Sequence, residues 1–190
     1  MTKAKAKAKP HSQIVAKPIA TWKDALRETP IRKVSAAIVL GHRRMGKSGT
    51  GWWLVEKLHR KYPSKLVYCI GLPKSRHKLV PSWVRHTENP LKLPENCIVL
   101  ADEAAIRYSA RRSQSDPNLI MSGMLALSGQ RRQVIIFVAH TARLLEIEQI
   151  FDSDLVIYKL PSVVHVKFER RETAEYTQRA REALLQKSDP

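Results

Sequence analysis

The sequence predicts an α/β fold, a mainly parallel central sheet with helices on both faces. Three observations carry that expectation. Short, wholly apolar runs alternate with stretches of helical periodicity. The first apolar run leads through a glycine-rich stretch directly into the first helical pattern. A later apolar run ends in two acids, Asp102 and Glu103. Strands buried on both faces read as continuous apolar runs, and joining them in parallel requires crossover connections, usually helical.

The elements follow in order. "VSAAIVL" (34–40) reads as a buried strand, and "KSGTGWWLVEKLHRKY" (47–62) as a helix with Trp53, Leu54, Leu58 and Tyr62 near helical spacing. "KLVYCI" (65–70) is a second strand and "NCIVLADEA" (96–104) a third. "LIMSGMLALSGQ" (119–130) is helical, "QVIIFVAH" (133–140) a fourth strand, "TARLLEIEQIF" (141–151) a helix and "DLVIYKL" (154–160) a fifth strand. "SVVHVKF" fits a sixth strand or the start of the last helix. Between the second and third strands, Leu72 to Pro94 holds Pro73, Pro81, Pro90 and Pro94 and no strong periodicity, so it reads as a long loop.

The ends differ in kind. "MTKAKAKAKP" opens a basic arm, residues 1–18, that cannot bury a core and is expected to be disordered. "TWKDALRE" (21–28) is a short helical pattern before Pro30. The main domain then spans 19–165, and 166–190 is a charged C-terminal helix.

Composition narrows the function classes. The chain has 190 residues, room for one domain with a real core. Its longest apolar runs are too short to span a bilayer, and no apolar stretch follows the basic start as a secretory signal requires. Cys69 and Cys97 lack metal-ligand spacing and read as buried free thiols in a reducing, cytoplasmic setting. The abnormal number is charge: 34 Lys plus Arg against 17 acids, a formal net +17. That excess points to a polyanionic partner, most often nucleic acid.

"GHRRMGKSGTG" (41–51) fits G-x-x-x-x-G-K-[ST]. The chemistry explains the pattern. Backbone N–H groups of such a loop wrap phosphates, and the following helix N-terminus adds favourable partial charge. Gly41, Gly46 and Gly49 permit close approach, and Arg44 either faces solvent or assists phosphate binding. Lys47 reaches the β- and γ-phosphates of ATP, and Ser48 is a ligand for Mg²⁺. Asp102, ending a strand, supplies the second metal carboxylate, and Glu103 beside it orients and deprotonates the attacking water. His140 ends the fourth strand near the expected γ-phosphate, as a sensor, a water-positioning group or a structural residue. Arg131 and Arg132 precede that strand at its opposite end. They fit arginine fingers reaching a neighbouring subunit's nucleotide, or solvated turn residues. Trp52 and Trp53 read as helix packing. In the long loop, Lys74, Arg76, Lys78 and Arg85 have the composition of a phosphate-contacting nucleic-acid surface.

The order of "GHRRMGKS", "CIVLADEA", "SGQRRQVIIFVAHT" and "DLVIYKLP" resembles the FtsK/HerA superfamily of P-loop ATPases over about residues 34 to 160. It is similar above all to the small viral genome-packaging ATPases, and more distantly to the Zot-like assembly ATPases of filamentous phages. The family usually carries Gln where this chain has His140. The resemblance implies a RecA-like core with strand order 5-1-4-3-2, and a ring-shaped homo-oligomer that moves double-stranded DNA. It also implies ATP with Mg²⁺, capsid or portal proteins as candidate partners, and a host-cytoplasmic or virion location. A Zot-like ATPase acting on a protein partner, a small P-loop kinase and a non-enzymatic nucleotide switch are the competing readings. Glu103 beside Asp102 disfavours the switch, and the charge of +17 disfavours the kinase.

Overall fold

A computed structural model describes residues 34–70, 72, 74–102, 117–140, 145, 150 and 152–186, with the backbone alone at 91, 102 and 117–121. The basic arm, the 21–28 pattern, Glu103 and nearly all of 141–151 lie outside the described residues.

Six strands form one sheet: β1 (Ala36–Leu40), β2 (Leu66–Ile70), β3 (Val84–Thr87), β4 (Cys97–Asp102), β5 (Val134–Val138) and β6 (Leu155–Tyr158). Their spatial order is β3-β2-β4-β5-β1-β6, and every neighbouring pair is parallel. The expected order of five strands is present as β6-β1-β5-β4-β2, and β3 extends it by one edge strand. The α/β, RecA-like class read from the sequence is the observed one.

The apolar runs are continuous because both faces are covered. Along β1, Ala36, Ile38 and Leu40 enter one core while Ala37 and Val39 enter the other. β5 splits the same way, Ile135 and Phe137 against Val134, Ile136 and Val138. Phe137, Ile38, Ile98 and Ile135 are among the largest fully buried side chains, so the centre of the sheet is the centre of the molecule.

Helix α1 (Lys47–Lys61) covers the second face with Leu54, Val55 and Leu58. It lies close on the sheet because Gly51 faces it. A Cβ there would come within 3.0 Å of both Leu100 Cδ1 and Val138 Cγ2. His59, Arg60 and Lys61 in its last turn complement the helix dipole, and Pro63 follows the end. Trp52 and Trp53 pack partly buried against this core, as expected for packing residues. Helix α2 (Pro117–Ser128) contributes Met124 and Leu125 to the opposite core.

Two segments differ from the sequence reading. Residues 72–94 are not a long irregular loop. They hold a 3-10 segment (Lys74–Leu79), the strand β3 and a short 3-10 turn (Pro90–Lys92). β3 escapes periodicity because only Val84 of its four residues is buried. The undecided "SVVHVKF" is a short helix, α3 (Val163–Lys167), started by Ser162, whose hydroxyl accepts from the His165 amide at 3.2 Å. Helix α4 (Arg171–Gln186) follows, matching the expected C-terminal helix. It docks back through polar contacts: Arg181 donates to the Pro161 carbonyl at 2.6 Å, and Thr173 and Thr177 are buried. Among the described residues no helix is long and apolar enough to cross a membrane.

Candidate nucleotide-binding site

In an all-parallel sheet every strand ends at the same edge, and ligands bind there, beside a switch in strand order. Residues 41–46 leave β1 at that edge, between β5 and β6. The loop's backbone is unusual at three places. Gly41 has φ 149°, Arg44 φ 63° and Gly46 φ 75°. The last of these caps α1 in the left-handed region, which turns the chain sharply into the helix.

Lys47 is the first residue of α1 and is 6% exposed, although it carries an ammonium. Its Nζ donates to the His42 carbonyl at 2.8 Å, across the mouth of the loop. A buried cation demands compensation, and the His42 carbonyl supplies part of it. The cavity over it measures about 430 Å³ and is lined by Arg43, Arg44, Gly46, Lys47, Ser48, Gly49, Val138 and His140. Among the described residues no carboxylate lines it. Four basic side chains facing one cavity favour an anion there.

The structure thus brings together Arg44, Gly46, Lys47, Ser48, Gly49 and His140, with Gly41 at the root of the loop. Asp102 ends β4, and its register partner is Val138, which lines the cavity from the intervening strand. That backbone position is one strand removed from β1. Glu103 lies outside the described residues.

Other expected residues lie elsewhere. Arg131 and Arg132 precede β5, at the end of the sheet opposite the cavity. Arg131 donates to the Leu93 carbonyl at 2.6 Å and its own carbonyl accepts from the Asn96 amide at 2.9 Å, so it ties the lower edge of the sheet together. Arg132 is exposed, with φ 53°, and its carbonyl accepts from Lys65 at 2.5 Å. Burial holds the Lys65 amine below its ordinary pKa, with the Arg132 charge adding to the effect against Cys97. Cys97 is itself pushed up to about 11 by burial. Both cysteines are buried free thiols.

Lys74, Arg76 and Lys78 are exposed on the 3-10 segment that leaves the ligand edge after β2. Arg85 is exposed too, but alternation along β3 puts it on the face opposite Val84 and His86. His86 stacks on His77 with centroids 3.7 Å apart, and Trp83 stacks on His59 at 4.2 Å, so this crossover is fastened to the core by its rings. Burial, and then the neighbouring His77, hold His86 below the ordinary histidine pKa.

Sequence reasoning missed three residues at the site. Lys159, just after β6, touches the loop. His42 within the loop meets His165 of α3, with ring centroids 5.2 Å apart. Burial, and then His42, lower the His165 pKa. Lys47 and His140 act in the same direction, and Glu169 opposes them. Only the strand order combined with register reveals these neighbours, because β6 is distant in sequence from the loop.

No protein-family model matches the chain, and no curated protein matches it. Among solved structures, that of C. elegans PCH-2 aligns over 74% of this chain and 38% of its own, with 13% identity and a TM-score of 0.40. This chain therefore spans well under half the length of that protein.

Proposed function

We propose that this chain is an ATP-hydrolysing motor of the FtsK/HerA type that moves double-stranded DNA, acting as a viral genome-packaging ATPase in a ring of identical subunits. The observation that carries the ATPase reading is Lys47. It is a buried lysine held over a glycine-rich loop at the ligand edge of a parallel sheet, in a cavity whose described lining is basic. The DNA reading is supported by the charge of +17 and by exposed Lys74, Arg76 and Lys78 on a segment leaving that same edge.

In this reading Lys47 gives up the His42 carbonyl and donates to the β- and γ-phosphates, while the loop amides from Gly46 onward point at the same oxygens. Mg²⁺, when bound, would neutralise charge on those phosphates, held by Ser48 and Asp102. Glu103 takes the proton of the attacking water, and His140 orients that water from the end of β5. Arg132, exposed at the far end of β5, extends toward a neighbouring subunit.

The test is ATP turnover measured with and without double-stranded DNA at low salt. The proposal expects turnover that rises with DNA. Turnover indifferent to DNA removes the translocase reading and leaves the ATPase, and absence of turnover removes both.

A further inference from the structure

β6 pairs with β1 in parallel from Ala37↔Leu155 to Leu40↔Tyr158. That register delivers the residue after β6 to the residue after β1. The Lys159 amide donates to the Leu40 carbonyl at 2.7 Å. A Cβ built on Gly41 would lie 2.7 Å from the Lys159 carbonyl oxygen and 2.8 Å from its Cβ. One built on Gly46 would lie 3.9 Å from Lys159 Cε. The Lys159 side chain therefore runs along the loop from its first glycine to its last. Its ammonium sits one bond beyond Cε, beside the turn that opens α1.

Lys159 is half-exposed. The ion pairs among the described residues are Glu56–Arg60 and Glu175–Arg179, and neither involves it. Lys47 reaches the same loop from α1. The two amines thus approach one anion-binding loop from its helix side and its β6 side. Arg43 and Arg44 add charge at the cavity, where no acid is among the described lining residues. Convergence of like charge on one loop favours a multiply charged ligand there.

We propose that Lys159 is a second phosphate-binding lysine, and that it and Lys47 hold the phosphate chain of a nucleoside polyphosphate between them. The proposal rests on the nucleotide-site reading of the loop and adds a residue from the far end of the domain to it. It also gives Gly41 a second reason to be glycine, since a side chain there would displace Lys159.

Equilibrium binding of Mg·ATP to the full chain tests it, by calorimetric titration of wild type, K47A, K159M and K159R, with the melting temperature of each as a fold control. Methionine keeps the aliphatic stem against the loop and removes the charge. The expected result is K159M weakened about tenfold or more and K159R within about threefold of wild type, the size of a charge-assisted hydrogen bond to phosphate. If K47A loses binding while K159M binds as tightly as wild type, Lys159 is not a ligand and the loop reading stands. If K159R weakens as much as K159M, packing rather than charge is at work, and the proposal falls. If wild type binds no Mg·ATP, the loop reading falls and takes the proposal with it.

Discussion

Replacing Gly41 with alanine should cost stability through two effects that the structure makes separable from nucleotide binding. The residue has φ 149°, a conformation that side-chain-bearing residues rarely adopt. Holding alanine there costs on the order of 1–3 kcal/mol. The new methyl would also stand 2.7 Å from a backbone oxygen and 2.8 Å from a β-carbon of Lys159. Neither atom is the free end of a flexible chain, so β6 must shift, at about 1–3 kcal/mol for overpacking. Alanine returns roughly 0.4–1 kcal/mol by restricting the unfolded chain. The net loss is about 1–5 kcal/mol, or a fall in Tm of roughly 2–20 °C for a chain of this size. Urea denaturation without nucleotide measures it, with Gly49→Ala as the control. Gly49 has no neighbour within 4 Å of a built Cβ, so that change should be neutral or slightly stabilising, by up to about 1 kcal/mol. G41A within about 0.5 kcal/mol of wild type would refute the close approach of β6 to the loop.

Two further outcomes follow from the edge segment. His86 titrates below its unfolded value, so between the ordinary histidine range near about 6.5 and its own lower pKa the unfolded chain binds the extra proton. Stability is therefore full above the ordinary range and falls as the pH drops through it. H86F, which keeps a ring on His77 and cannot protonate, should lose less Tm between pH 7.5 and 5.5 than wild type, and equal losses would count against the stack as a source. K74A/R76A/K78A should make the log–log salt dependence of double-stranded DNA binding shallower by about two to three units. An unchanged slope would move the DNA contact to residues 1–18 or to Arg107, Arg111 and Arg112, which lie outside the described residues.

What the sequence disclosed follows from how local each signal is. Five of the six strands were legible because each is a short apolar run, buried on both faces in β1 and β5, and the loop at 41–48 because its pattern is contiguous. Their order was not: it came from the resemblance, since nothing in "VIIFVA" says which strand lies beside it. β3 was hidden because an edge strand with one buried residue, Val84, has no period to detect. α3 was ambiguous because "VVHV" is β-branched and would suit a strand. The Ser162 cap decides for helix, and it leaves Val163 and Val164 exposed at 63% and 62%. Lys159 and His165 were invisible for a different reason. They reach the loop only because β6 pairs with β1, so their role becomes readable once strand order and register are combined.

The central claim is that Lys47 sits where the β- and γ-phosphates of ATP bind. Phosphate release from Mg·ATP by wild type and by K47A, at matched folded concentration, tests it most directly. The account predicts turnover by wild type and its loss in K47A, because the buried Lys47 ammonium over the loop is gone while the fold remains. Turnover in K47A equal to that of wild type would contradict it.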